Sequence, residues 1–141
     1  MITRKSLFKY TPRVVAAFIL LQTLWFKFGI GGNAALKESK IIFVHLSQSL
    51  LDTGQYEGLF RLGTGMAELL VSIALFTRYA GYGALLGVVI MLGAILSHLL
   101  LIGISINGDH GQLMVMAVIV LICCVKVAFN ERNNTVLKRF I

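Results

Sequence analysis

Charge is scarce in this sequence: charged residues make up 13% of its 141 positions, against about 25% in soluble domains, while hydrophobic residues make up 57%. That balance excludes an ordinary soluble domain and points to an integral membrane protein. The usual signatures of chemistry are missing as well. There is no Gly-rich phosphate loop, no dinucleotide fingerprint and no nucleophile motif, and no internal repeat or low-complexity segment. The two cysteines, Cys123 and Cys124, are adjacent within an apolar run. This is neither the spacing of a redox pair nor that of a metal site, so they read as small apolar filler. The length leaves room for four spans of about 20 residues and for no separate catalytic domain.

The charge that is present is mostly basic, 13 Lys and Arg against 6 Asp and Glu, for a net +7. It is also confined. Arg4, Lys5, Lys9 and Arg13 precede the first apolar run, and Lys126, Arg132, Lys138 and Arg139 close the last one. The positive-inside rule accounts for this distribution without nucleic acid, and such flanks also attract anionic lipid. With both termini on one side, nine Lys and Arg (counting Arg78) face four on the other, Lys27, Lys37, Lys40 and Arg61. Both termini are therefore expected in the cytoplasm, in a multi-pass protein of a bacterial-type inner membrane whose first partner is the lipid bilayer.

Hydrophobic periodicity predicts an all-α fold, a four-helix transmembrane bundle with spans at about 13–30, 57–77, 83–103 and 111–129. The first apolar run is expected to be a retained span rather than a leader, because Gln22, Trp25 and Lys27 interrupt or flank it. Between spans one and two, Leu36, Phe43, Leu46, Leu50 and Leu51 recur at helical spacing against Lys37, Lys40, Gln48 and Asp52. This predicts an interfacial helix at about 36–51, lying on the membrane surface or capping the bundle. His45 within it reads as a solvated histidine. Gly83 and Gly87 form a small-xxx-small step suited to close helix approach. Asp109 stands where the dipole of the next helix favours a carboxylate.

The stretch that organises the rest is Arg61-Leu62-Gly63-Thr64-Gly65-Met66-Ala67-Glu68. Arg61 and Glu68 are seven residues apart, nearly on one helix face and about 10 Å apart along the axis, with Gly65 as a notch between them. Ionisable groups in a span are costly unless they face the interior, so this stripe is expected to point at other helices. Depth counting puts Gln22 and Glu68 near mid-bilayer, Lys27, Arg61 and His98 in the outer half, and Asp109 at the outer rim. A purely structural reading stands beside the functional one: Arg61 with Asp109, or Lys27 with Glu68, as ion pairs that set helix register. His98 lacks the companions that zinc or haem would require, so no metal site is expected.

Leu20-Leu21-Gln22-Thr23-Leu24-Trp25-Phe26-Lys27-Phe28, Arg61-Leu62-Gly63-Thr64-Gly65 with Glu68, Gly93-Ala94-Ile95-Leu96-Ser97-His98-Leu99 and Gly108-Asp109-His110-Gly111 together resemble the DoxX-like family of small membrane proteins. The resemblance runs from about Val14 to Val127 and implies a four-span inner-membrane protein. It also implies a link to quinone-coupled thiosulfate oxidation, to a terminal oxidase or to complexes handling thiol stress. The absence of a CxxC speaks against a thiol-disulfide carrier. The resulting expectation is an outward-opening polar pocket formed by Gln22, Lys27, Arg61, Glu68, His98 and Asp109. It would accept a quinone head group or a small sulfur-containing solute, with Trp25 and Met91 holding the apolar part. No cofactor of the chain's own is evident. A binding or anchoring subunit of a redox partner, with a homo-oligomer open, is therefore expected more readily than an enzyme. The competing classes are a proton or small-solute transporter built on Glu68 and a purely structural subunit.

Overall fold

The structure is a computed structural model that describes residues 4–133, with side chains from Leu7 onward. Lys138 and Arg139, counted above among the C-terminal cations, lie outside the described residues, as do the side chains of Arg4 and Lys5. The described chain is all-helical, without a strand: α1 (Arg4–Lys27), α2 (Asn33–Leu51), α3 (Glu57–Ala74), α4 (Ala80–Ser97) and α5 (Gln112–Glu131). A π-helical turn, His98–Ile102, prolongs α4. The turn from α1 to α2 depends on glycine, since Gly29 and Gly32 have φ of 73° and 94°. Helix α2 ends on Asp52 in the left-handed conformation, φ 55°, whose N–H donates to the Gln48 carbonyl at 3.0 Å.

Helix α1 packs on α3 and α5, and α4 packs on α3 and α5, while α2 lies against α1, α3 and the π-turn. One half of this assembly is filled. Ala16, Ala17 and Leu20 of α1, Val71 and Leu75 of α3, Ala80 and Ala84 of α4 and Val120, Cys124 and Val127 of α5 form its buried core. Small residues let the helices close. A Cβ on Gly83 would stand 2.5 Å from the Ala74 Cβ, and one on Gly87 would stand 2.7 Å from Cys124 Sγ. The glycine step therefore seats α4 on both α3 and α5, and Cys124 is the filler opposite it.

Arg13 seals the end of this half. The sequence reading counted it as a flanking cation, but its side chain is buried between helices. It donates to the Leu75 carbonyl at 3.0 Å, where α3 ends, and to the Glu131 carboxylate at the end of α5. Unsatisfied C-terminal carbonyls draw such donors, and a buried cation needs a counter-charge. The half-exposed Lys9 adds a second cation 3.3 Å from Glu131. The start of α1 and the ends of α3 and α5 thus share one end of the molecule.

Two of the described helices are long and apolar enough to cross a membrane: α4 with its π-turn, Ala80–Ile102, and α5, Gln112–Glu131. Helix α3 carries Glu57, Arg61 and Glu68, yet it is inverted relative to a helix of a water-soluble protein. Arg61, Gly65, Glu68 and Ser72 form its buried stripe, whereas Leu59, Leu62, Met66, Leu70 and Ile73 are exposed. Helix α2 also departs from expectation. Its buried stripe is Ser39, Phe43 and Ser47, while Leu50 and Leu51 of the predicted leucine face are half exposed. The small serines let α2 lie close to its neighbours, and the Ser47 hydroxyl donates to the Thr53 carbonyl at 2.5 Å. His45 is exposed, as the sequence suggested.

Candidate functional site

The other half of the assembly is hollow. A cavity of about 740 Å³ lies among the second half of α1, the first half of α3, the second half of α4 and the first half of α5, with α2 across its end. Its walls are mainly apolar, and two sets of polar groups stand out among them.

The first set joins α1 to α3. Lys27 is the last residue of α1, and its ammonium grips Glu68 through both carboxylate oxygens at 2.5 and 2.6 Å. One turn earlier, the Thr23 hydroxyl lies 3.0 Å from the same carboxylate and 2.7 Å from the Leu20 carbonyl, so its single proton serves one or the other. Glu68 is 5% exposed, and Lys27 also lies over the Phe43 ring of α2 at 5.9 Å. The Lys27–Glu68 pair, one of the two pairings that the structural reading offered, is therefore present on the cavity wall.

Arg61 has another role. Its Nε donates to Glu57 one turn back at 2.5 Å, and a terminal guanidinium nitrogen donates to the Lys27 carbonyl. It staples the start of α3 to the end of α1 and is not part of the cavity lining, which corrects its placement among the pocket residues. The pairing of Arg61 with Asp109 is not formed either, because each finds nearer partners. The notch at Gly65 is filled by the Phe28 ring, 3.1 Å from where a Cβ would stand.

The second set comes from the π-turn and the loop after it. His98 is 7% exposed and lines the cavity, with Nδ1 3.0 Å from the Gly103 carbonyl oxygen. Asp109 binds backbone: Oδ1 accepts from Ile106 N–H at 2.8 Å and Gly111 N–H at 3.0 Å, and Oδ2 from Leu113 N–H at 3.2 Å. Burial pushes the Asp109 carboxyl up, but these three donors and the nearby His98 outweigh it and hold it below its ordinary value. Asp109 thus organises the start of α5, as its position near that helix suggested.

Gln22 lines the cavity, and so does the buried Met91. Trp25 does not: it is 53% exposed and its indole covers Gly31. Sequence reasoning missed Thr23, Glu38 and the two serines, Ser39 and Ser47, that flank the expected Phe43 in the buried stripe of α2. The i, i+4 spacing of Ser39, Phe43 and Ser47 would have located the stripe had small residues been weighted with the leucines. Among the described residues no group of three His, Cys, Asp or Glu could hold a metal ion. Comparison with protein-family models, with curated proteins and with solved structures finds no match.

Proposed function

We propose that the chain is a four-span membrane bundle of the DoxX-like type, and that its cavity binds the head group of a neutral amphiphile, best a quinone. In this reading it is the binding or anchoring subunit of a membrane redox system. The cavity carries the functional part of the proposal: its volume lies within the range of small-molecule pockets, and its apolar walls carry a few convergent polar groups. Helix α3 supports the membrane part, since hidden charge and exposed leucine suit a lipid surround. The shared end of Arg13, Leu75 and Glu131 supports both termini on one side, the side that also carries Lys9, Arg78, Lys126 and Arg132.

Charge selects among ligands. Glu38, Glu68 and Asp109 line the cavity against Lys27 and His98, so carboxylates remain in excess even with a protonated imidazole. An anionic sulfur species is disfavoured there relative to an uncharged ring. A bound quinone would supply two-electron chemistry; the Lys27 ammonium would donate to its carbonyl oxygens, and Glu68 and His98 would accept from the hydroxyls of its reduced form. Transport through Glu68 is weaker because Lys27 and Thr23 engage both carboxylate oxygens.

The test is organic extraction and mass spectrometry of protein purified gently from its native membrane. Quinone is expected in the wild type and lost in Glu68→Ala. A wild type without quinone, under conditions in which an established quinone protein keeps its own, removes the quinone assignment.

A further inference from the structure

His98 is held by one ring nitrogen only. A carbonyl oxygen can accept but not donate, so the 3.0 Å contact with Gly103 assigns the proton to Nδ1. In the neutral ring Nε2 then carries a lone pair, and no described residue donates to it. The backbone is shaped around this arrangement. The π-turn His98–Ile102 widens the helix at its end, and Gly103, φ 86°, closes the turn with its carbonyl at the ring. Asp109, the carboxylate on which the nearby His98 acts, has its oxygens committed to three backbone N–H groups. Nε2 is not among the buried atoms left without a partner, so it opens into the cavity that His98 lines, where a donor on the ligand can complete it.

We infer that His98 Nε2 accepts a hydrogen bond from a hydroxyl on the ligand's ring, so that the cavity selects the hydroxylated, reduced ring over forms that cannot donate. This rests on the ligand-binding reading of the cavity and specifies which form of the ligand is bound. Removing the donor leaves Nε2 desolvated and unpaired, which is the more costly outcome for a buried polar atom.

The experiment titrates purified full-length protein with a short-tailed hydroquinone, with its dimethyl ether and with a long-chain alcohol, by calorimetry. Imidazole ¹⁵N NMR is recorded in parallel. The hydroquinone is expected to bind about tenfold or more tightly than the ether. His98→Phe should remove that difference, and His98→Gln, whose amide oxygen is an acceptor, should restore part of it. Nε2 is expected to be unprotonated in the free protein and to shift with the hydroquinone alone. Equal binding of hydroquinone and ether to the wild type, or a protonated Nε2, overturns the inference while leaving the cavity a ligand site. Binding of the alcohol but not the hydroquinone, with the same His98 dependence, overturns the ring and assigns the acceptor to a lipid hydroxyl. No binding of any of the three overturns the ligand reading itself. The wild-type measurements decide the matter even if His98→Phe does not fold.

Discussion

Arg13 with Glu131 at one end of the molecule, and Lys27 with Glu68 at the other, are both buried cation–carboxylate pairs that tie α1 to another helix. Their surroundings differ. In the half that Arg13 closes, the helices meet through alanine, glycine and cysteine, and the guanidinium also caps the end of α3. Around Lys27 the helices stand apart, and the pair forms part of a cavity wall. A cation and a carboxylate therefore act as a clamp where the packing is closed and as a polar wall where it is open. A charge pair between helices does not declare its role; the volume beside it does.

The largest effect is expected from breaking the clamp. Arg13→Met takes the buried guanidinium from Glu131 and deprives the Leu75 carbonyl of its donor. Loss of one partner from a buried pair costs about 3–5 kcal/mol. Unfolding in mixed micelles should show this loss, while affinity for a cavity ligand stays within about twofold. A large loss of affinity would mean that the two halves are not separable. Next comes the wall. Lys27→Met and Glu68→Gln should each cost about 2 kcal/mol, less than the clamp because Lys27 borders open space. The double variant should recover much of that stability but not the ligand. If it binds ligand as the wild type does, the pair only sets register.

The fold was legible where periodicity carries it. The seven-residue step from Arg61 to Glu68 marked the inward stripe of α3, and the Lys27–Glu68 pair stood among the readings although depth counting set Lys27 further out than Glu68. The partners of Arg61 and Asp109 were not legible. Depth counting sees side chains but not the orphan carbonyl at the end of α1 or the free N–H groups before α5, and these are nearer than the two residues are to each other. Arg13 was hidden for a related reason: a rule about flanking cations treats each as solvated, and Glu131 is 118 residues away. The hollow half and the π-turn have no sequence signature, because Leu99-Leu100-Leu101 would equally suit an unbroken α-helix.

A smaller effect is expected from prying at the closed half. Gly87→Ala puts a methyl group against Cys124 Sγ, which is fully buried, and Val71 Cγ1, 3.2 Å away, also hinders it. Overpacking of this kind costs about 1–3 kcal/mol, here near the low end because a single methyl is added. Combining it with Cys124→Ala should give back part of the loss, and strictly additive costs would show that the two side chains do not meet.

The smallest effect tests whether the open half is organised from its rim. Asp109 has a folded-state pKa below its unfolded value, so the stabilisation it provides is complete above the ordinary carboxylate range, about pH 4. It is lost as pH falls through the lower folded value. Asp109→Asn should lower stability at neutral pH by about 1 kcal/mol, the usual worth of a capping side chain, and flatten the acid limb of the profile. The local readout is amide exchange. Gly111 and Leu113, whose N–H groups the carboxylate holds, should exchange roughly fivefold faster at neutral pH in the variant. The amide of Cys124, in the closed half, should not change. Equal acceleration at all three would mean that Asp109 supports the whole assembly, and that the rim of the hollow half is not an independently held element.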